Sequence, residues 1–353
     1  MLIVQAGFGA GGAERVISML SDHFAQSGAT VHVTAFDMPS DGPYFKMHPD
    51  VETSALTGAD GQWNRIRHVR RVVKDFQPDV AISFLTKVNV ITLLATIGLR
   101  VPVIISERNN PILQEAHPLW NHMQGLLGRR AAKVVALTPA GLSQLQSSLR
   151  RRSVVIPNPV IPFNRLDQAA NGDACHLVAI GRLATQKGFD MLLESMLRIH
   201  QANPAATLTI YGEGRQRSAL EAQRDALGLG EVVKLPGTTT EAGQWALDAD
   251  IVLGTSRYEG FHNVVAEALV SGIPVVAFDC EFGPSDLIED GKTGFLIPLG
   301  DIDELAEKTL LLIRDPELRK SMSNASSGTR ERLSPENVFA QWDQLIAEVR
   351  QQR

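Results

Sequence analysis

Two glutamates, Glu259 and Glu267, stand eight positions apart in the stretch SRYEGFHNVVAEAL, residues 256–269. A helix is expected to begin near His262, and it would separate the two backbones by about 12 Å at ~1.5 Å per residue. Paired glycosidase carboxylates need about 5–9.5 Å, so separate roles are favoured, one acid at a loop tip and one on the helix. Free amides at the helix start could bind phosphate or sugar between them.

Arg182 and Lys187 follow a predicted strand and stand five positions apart around a loop. A guanidinium and an ammonium at this spacing could hold a diphosphate while one phosphate leaves, without a metal. Two solvated surface charges are the alternative. Asp248 and Asp250 have the letters of a metal-binding DxD, but they flank the start of a buried strand, where a structural role is favoured.

Near the start of the chain, Gly7, Gly9 and Gly12 fit the dinucleotide pattern G-x-G-x-x-G. Asp37 lies beyond them, roughly where such folds place an acid for a ribose. The pattern is weak alone, so an NAD-dependent oxidoreductase stays an alternative. Without Cβ atoms, Gly11 and Gly12 could instead let a diphosphate sugar approach the backbone. Glu14 and Arg15 either cap the following helix or face the ligand.

The composition of the chain limits the classes of function that it can have. The chain has 353 residues, 44% of them hydrophobic, and a formal net charge of −5, which fits a folded enzyme and argues against a nucleic-acid binder. Its two cysteines, Cys175 and Cys280, lie far apart and indicate neither a disulfide framework nor a zinc site. We find no secretory signal and no apolar run long enough to span a bilayer, so a cytoplasmic location is expected.

Short β-branched runs alternate with helical patterns along the chain, which predicts an α/β fold with parallel sheets covered on both faces. The alternation stops at the proline-rich segment PNPVIP, 157–162, and then resumes. We therefore predict two doubly wound, Rossmann-like domains with a cleft between them. The first domain spans 1–158 and the second 159–334, and a C-terminal helix at about 335–353 packs back on the first.

Several motifs occur together in one order. They are GGAERV (11–16), IPNPV (156–160), AIGRLATQKGFDMLLES (179–195), LTIYGEG (208–214), KLPG (234–237), ADIVLGTSRYEGF (249–261), EALVSGIPVVAFD (267–279) and DGKTGFLIP (290–298). In this order they resemble the retaining nucleotide-sugar glycosyltransferases of the GT-B fold, the large family often numbered four. The resemblance covers nearly the whole chain.

The resemblance implies a role for each candidate residue. Glu259, Arg182 and Lys187 would be catalytic: the two cations would hold the donor diphosphate, and Glu259 would bind the donor sugar. Glu267 would bind the ribose. His262 replaces the proline or glycine often found in the family, and either a sugar contact or an exposed loop position fits it. The full donor-binding set is Gly11, Gly12, Gly181, Gly260, Phe261, His262, Asn263, Val264 and Glu267.

The first domain is expected to bind the acceptor. Residues 64–76, NRIRHVRRVVKDF, form a basic amphipathic helix suited to an anionic membrane or to a lipid diphosphate, although an ordinary solvated helix is the alternative. SERNNP at 106–111 resembles enzymes that extend undecaprenyl-diphosphate-linked glycans. Many relatives carry a histidine where this chain has Glu107 and Arg108. The acceptor or membrane set is Arg65, Arg70, Arg71, Lys74, Glu107, Arg108 and His117.

These observations predict a retaining glycosyltransferase that moves a hexose or N-acetylhexosamine from a nucleotide-sugar, with UDP favoured, to a lipid-linked saccharide in bacterial surface polysaccharide or glycan assembly. The resemblance implies that the leaving phosphate oxygen serves as base, and neither a cofactor nor a metal is predicted. The expected partners are the donor, the undecaprenyl-diphosphate-linked acceptor and the inner face of the cell membrane, but not nucleic acid. A non-catalytic sugar-binding subunit is a further alternative.

Overall fold

The structure, a computed structural model, describes residues 1–9, 11–56, 61–108, 118–163, 175–239 and 243–351. Its contacts divide the chain into two compact units. Unit 1 consists of Met1–Pro159 and Pro335–Arg353, and unit 2 of Val160–Ser334.

Unit 1 contains a seven-stranded parallel sheet, sheet 1, with strand order β3-β2-β1-β4-β5-β6-β7. Its strands are β1 Leu2–Val4, β2 Val31–Ala35, β3 Val51–Ala55, β4 Ala81–Phe84, β5 Val103–Ser106, β6 Lys133–Ala136 and β7 Ser153–Val155. Its helices are α1 Gly12–Gln26, α2 Gln62–Phe76, α3 Thr86–Ala95, α4 Pro118–Leu127, α5 Pro139–Gln144, α6 Ser147–Arg150 and α14 Pro335–Gln351.

The two faces of sheet 1 bury separate apolar cores. One face packs against α1 and α14, where Trp342 of α14 is fully buried and lies 6.2 Å from the Phe84 ring. The other face packs against α2, α3 and α4. Since both faces are covered, the strands are apolar at successive positions, the pattern from which a parallel sheet was predicted.

Unit 2 contains a six-stranded parallel sheet, sheet 2, with strand order β10-β9-β8-β11-β12-β13. Its strands are β8 His176–Ile180, β9 Thr207–Tyr211, β10 Val233–Gly237, β11 Ile251–Gly254, β12 Val275–Asp279 and β13 Gly294–Pro298. Its helices are α7 Phe189–Ala202, α8 Arg217–Ala226, α9 Asn263–Val270, α10 Pro284–Leu287, α11 Ile302–Arg314, α12 Pro316–Ala325 and α13 Ser327–Leu333.

The predicted α/β fold class is confirmed, and every predicted strand is present. The sequence patterns GLSQLQSSL (141–149) and EAGQWALD (241–248) each predict one helix, and both predictions need correction. Leu145 is extended and separates α5 from α6. The described part of 241–248 contains only a 3-10 turn, at Gln244–Ala246. The sequence patterns did not predict α4. None of the helices in the described ranges is long and apolar enough to cross a membrane.

Candidate active site

Glu259 lies in unit 2, in the loop that follows β11 at the carboxyl edge of sheet 2, and is only 7% exposed. Its Oε1 accepts hydrogen bonds from Lys187 Nζ at 2.5 Å and from Ser256 Oγ at 2.7 Å. Within the described ranges, no hydrogen bond is donated to Oε2. One carboxylate oxygen is therefore held by the protein, and the other is left for a ligand.

The charge on Glu259 is set by two opposing effects. Burial raises the pKa of a carboxyl group, but the Lys187 ammonium and the Ser256 hydroxyl outweigh it and hold the pKa of Glu259 below its ordinary value. The carboxylate is therefore ionised at neutral pH. A buried anion of this kind can bind a sugar hydroxyl or stabilise positive charge that develops beside it.

Lys187 reaches Glu259 because hydrogen bonds join the segment after β8 to the loop after β11. The 3-10 turn Thr185–Lys187 follows β8, and Thr255 Oγ1, just after β11, donates to the Lys187 carbonyl at 3.0 Å. Arg257 donates to both carboxylate oxygens of Asp190, at 2.9 and 2.7 Å. The bond from Arg257 lowers the pKa of Asp190. Sequence analysis missed this pair, since nothing in the spacing of positions 190 and 257 links them.

Gly188 makes the close approach of these loops possible. Its φ is +64°, and a Cβ there would lie 2.0 Å from the Thr255 carbonyl oxygen. Only glycine fits such a contact in a left-handed conformation. The glycine therefore sets where Lys187 stands relative to β11.

The start of α9 lies directly after Glu259 and presents backbone donors. His262 is the N-cap residue, and its side chain caps no amide. Across the described part of the chain, no acceptor is found for the amides of Gly260, Phe261, His262 and Val264. Unsatisfied amides and the positive end of a helix dipole together attract anions. Glu267 lies on α9 one turn beyond Asn263 and Val264 and so shares their face.

The remaining predicted donor residues differ in exposure. Arg182 is exposed and has no ion pair with a described residue, so its guanidinium is available to a ligand. Gly181 lies under the Lys187 side chain, since a Cβ there would come within 2.9 Å of Lys187 Cε. Phe261 is buried and contributes its backbone rather than its ring.

His262 is buried rather than exposed in a loop, because its side chain is 4% exposed and fits against Gly254. Its Nε2 lies 3.9 Å from Glu259 Oε1, and neither ring nitrogen has a hydrogen-bond partner among the described residues. Burial, the largest cause, lowers the pKa of His262 to about 4. The ring is therefore neutral at physiological pH. Of the two roles predicted for His262, a sugar contact or an exposed loop position, the structure excludes the exposed loop position.

In unit 1, Gly11 is the N-cap residue of α1, and Gly12 is its first, exposed residue. The Glu14 carboxylate folds back against Gly11, where a Cβ would lie 2.1 Å from Glu14 Oε2. Burial raises the pKa of Glu14. A carboxylate at this helix start offsets the favourable field that the dipole would offer a diphosphate.

Glu107 and Arg108 follow β5 at the carboxyl edge of sheet 1 and are both buried. Glu107 Oε2 accepts from Thr86 Oγ1 at 2.9 Å and from Gln124 Nε2 at 2.8 Å. Arg108 donates to Ser106 and Asn158, and its guanidinium lies 4.7 Å from the Phe84 ring centroid. Burial lowers the pKa of Arg108 to about 9. Although Glu107 and Arg108 lie in a loop, both side chains are buried and hydrogen-bonded within unit 1.

Helix α2 does carry the predicted basic residues. Arg71 and Lys74 are exposed, as is Arg67, but Arg70 Nη1 donates to the carbonyls of Ala95 and Ile97 at the end of α3. These contacts at the end of α3 favour a structural role for Arg70 over its predicted place in the acceptor set, which stays a prediction. A second group of basic residues, Arg150, Arg151 and Arg152, precedes β7 at the opposite edge of sheet 1 from Arg108. His117 lies outside the described residues.

In the described parts of the chain, no group of three or more His, Cys, Asp or Glu side chains is placed to hold a metal ion. Asp250 has a structural contact, since its Oδ2 accepts the His176 backbone amide at 2.8 Å, and Asp248 lies 3.4 Å from His176 Nδ1.

Comparison with protein families gives two matches that together span most of the chain. Residues 11–159 match the glycosyl transferase 4-like domain, and residues 174–315 match the glycosyl transferases group 1. The first match lies in unit 1 and the second in unit 2.

Individual proteins resemble the chain over its full length. An uncharacterized glycosyltransferase of Haemophilus influenzae is 26% identical over 96% of both chains. The GalNAc-alpha-(1->4)-GalNAc-alpha-(1->3)-diNAcBac-PP-undecaprenol alpha-1,4-N-acetyl-D-galactosaminyltransferase of Campylobacter jejuni is 24% identical over 98% of this chain and 97% of its own. The crystal structure of Anabaena HepE in complex with UDP and glucose shares the fold, with a TM-score of 0.81, 21% identity and 98% of each chain covered.

Proposed function

Because the chain belongs to the family-4-like glycosyltransferases of the GT-B fold, we propose that it transfers a hexose or N-acetylhexosamine from a UDP-sugar to a lipid-linked saccharide. We propose further that the anomeric configuration of the sugar is retained. The alternatives of an NAD-dependent oxidoreductase and a non-catalytic subunit are not favoured by these relatives.

One observation carries the proposal. A buried, ionised Glu259 has one oxygen fixed by Lys187 and Ser256, and a row of unsatisfied amides at the start of α9 follows it directly. The carboxylate suits a sugar, and the amides suit the phosphate to which that sugar is attached. A nucleotide-sugar has both groups in adjacent positions.

Each residue then has a step in the donor reaction. Lys187, Arg182 and the α9 amides would neutralise the diphosphate as it leaves with the bonding electrons of the anomeric C–O bond. Glu259 Oε2 would accept a donor hydroxyl and stabilise positive charge at the ring. Glu267, on the same face of α9, would accept from the ribose hydroxyls. The departing phosphate oxygen would take the proton of the acceptor hydroxyl, so that no protein nucleophile is needed.

The acceptor side of the proposal rests on unit 1 and on the Campylobacter relative, whose name specifies an undecaprenol diphosphate substrate. Helix α2 exposes Trp63, at 73%, together with Arg67, Arg71 and Lys74. These residues stand three or four positions apart and so lie on one face of the helix. An aromatic ring beside three cations suits the surface of an anionic membrane, which would place the enzyme at the inner face of the cell membrane.

A donor screen tests the reaction. UDP release from a panel of UDP-sugars would be measured with a bacterial lipid extract, for the wild type, for Glu259→Gln and for the matched control Glu289→Gln, which alters an exposed acid. We expect Glu259→Gln to lose turnover by at least about 100-fold, the range seen when one charge-stabilising group is removed, and the control to keep it. Equal turnover in all three would overturn the site.

Two further measurements test the finer claims. Proton NMR of the anomeric coupling in the product would show whether configuration is retained, and an inverted product would overturn that part. Sedimentation with phosphatidylglycerol vesicles would test the α2 face, where Trp63→Ala combined with Arg71→Glu is expected to abolish binding. Binding by the double variant at the wild-type level would exclude this face as the membrane contact.

A further inference from the structure

Two cations of unit 1 lie on neighbouring helices at the carboxyl edge of sheet 1. Lys87 is the second residue of α3, directly after β4, and Arg65 lies in the first half of α2, which packs against α3. Neither forms an ion pair with a carboxylate within the described ranges. Only Arg65 was identified from the sequence, since Lys87 stands alone in an apolar stretch.

Aromatic rings flank both cations. The Arg65 guanidinium lies 5.3 Å from the Phe36 ring centroid, just beyond β2. Lys87 Nζ lies 5.5 Å from the ring centroid of Trp120 on α4. Two cation–ring pairs therefore lie at the carboxyl edge of sheet 1, and the helices that bear the two cations, α2 and α3, pack against each other. Ring faces beside cations present an apolar surface next to a charged one.

The surroundings of Lys87 oppose its positive charge. It lies in the first turn of α3, where the helix dipole already favours anions. Burial, and after it the neighbouring Arg65, lowers the pKa of Lys87. By contrast, several other cations of the chain have carboxylate partners, among them Lys133 with Glu348 and Lys187 with Glu259. A bound anion would relieve this repulsion.

We propose that Lys87 and Arg65 form a binding site for a phosphate or diphosphate group attached to a saccharide, and that Trp120 and Phe36 border the sugar. The identification of this group as part of the acceptor rests on the proposed function. The binding of the anion does not, because it follows from the two cations alone.

The binding test uses inorganic pyrophosphate as its probe. Isothermal titration would be performed on the full chain with the donor site saturated by UDP, so that only further sites are measured. Lys87→Met keeps the apolar stem against Trp120 and removes the charge. Lys308→Met is the matched control in unit 2, because Lys308 Nζ also lies over a ring, 5.6 Å from the Phe295 centroid. We expect Lys87→Met and Arg65→Gln each to weaken binding at least tenfold and the control to leave it unchanged. Wild-type affinity in both variants would overturn the site.

A second arm distinguishes the source of the phosphate. Vesicles of phosphatidylglycerol with and without a polyprenyl diphosphate would be compared with pyrophosphate. If the lipid diphosphate binds more tightly to the wild type but not to Lys87→Met, the ligand is lipid-linked. Selectivity for free pyrophosphate over both vesicles would support the anion site and exclude the lipid source.

Kinetics separate this inference from the proposed function. Lys87→Met is expected to raise the acceptor KM about tenfold while the donor KM stays at the wild-type value. If no UDP-sugar is turned over by the wild type, yet Lys87→Met loses pyrophosphate binding, the proposed function fails and the anion site stands. If transfer occurs but both the acceptor KM and the pyrophosphate affinity of Lys87→Met match the wild type, the anion site fails alone.

Discussion

The cations at the carboxyl edges of the two sheets differ in their partners. At sheet 2, Lys187 is paired with Glu259 and Arg257 with Asp190, and the partners lie 2.5–2.9 Å apart. At sheet 1, Lys87 and Arg65 lie beside rings, and neither pairs with a carboxylate of a described residue. The first edge is organised before a ligand arrives, whereas the second has cations whose charge a ligand would balance.

This difference matches the demands of the two proposed substrates. Charge that develops during bond cleavage is best stabilised by groups already fixed in place, since they need no reorganisation. An acceptor has only to be held and oriented, and cations without partners bind its phosphate at a lower desolvation cost than cations that must first leave a carboxylate. The contrast can be tested by changing one partner at a time.

The largest effect is expected for Lys187→Met. It leaves the buried Glu259 charge without its ammonium, which should cost about 3–5 kcal/mol of unfolding free energy and abolish transfer. The double variant Lys187→Met with Glu259→Gln should regain most of the stability and none of the activity. Urea unfolding measures the stability of the single and double variants, and UDP release measures their transfer activity.

The control for this variant is Lys292→Met, which removes an exposed pair with Glu289 of similar length, 2.6 Å. Its cost should be below about 1 kcal/mol. Equal losses in the buried and exposed pairs would show that the edge of sheet 2 is not organised by charge.

Gly188→Ala should rank next. The left-handed backbone costs about 1–2 kcal/mol, and the contact with the Thr255 carbonyl adds roughly 1–3 kcal/mol of overpacking. Gly291→Ala is the control, because its φ is +70° and nothing lies within 4 Å of its Cβ position. The difference in melting temperature between the two variants measures the effect of the contact with the Thr255 carbonyl. Equal decreases in melting temperature would mean that the packing of the loops does not depend on this contact.

The pH dependence of stability gives the third test. The pKa of His262 is lowered from its ordinary 6.5 to about 4 in the folded chain, so its contribution is complete above pH 6.5 and is lost as the pH falls toward 4. The loss amounts to on the order of 3 kcal/mol, at about 1.4 per pKa unit.

His262→Asn should flatten the curve of unfolding free energy between pH 6.5 and 4, whereas the exposed His122→Asn should not. The half-buried His32 and the buried His68 also have lowered pKa values and supply a background slope in every variant. A curve for His262→Asn that coincides with that of the wild type would place the ring in contact with water.

The smallest effect is expected on sheet 1, for Arg70→Ala. It removes two hydrogen bonds to the end of α3 and should cost about 1 kcal/mol, while the acceptor KM stays at the wild-type value. Lys74→Ala, which alters an exposed cation, should cost less than about 0.5 kcal/mol. A raised acceptor KM in Arg70→Ala would support the predicted place of this arginine in the acceptor set.

Local patterns predicted the parallel strands well, because each strand is a short apolar run bounded by turn residues. They failed where contacts are distant along the chain. Nothing in the neighbourhood of Lys87 signals Arg65 or Trp120, which come from other helices, and nothing in EGFHN shows that Gly254 makes room for the His262 ring. The roles assigned to Glu259, Arg182 and Glu267 stay predictions, although the structure places Glu259 and Lys187 in direct contact.

The return of α14 to unit 1 bears on how the chain is made. Trp342, Val338 and Ile346 complete the apolar core that begins at Ile3, yet they follow all of unit 2 along the chain. Domains usually fold in order as they leave the ribosome. Here unit 2 is complete in sequence while unit 1 still lacks one side of its core. The domain that starts first must therefore finish last, and a nascent chain stopped before position 335 exposes an apolar surface that chaperones can recognise.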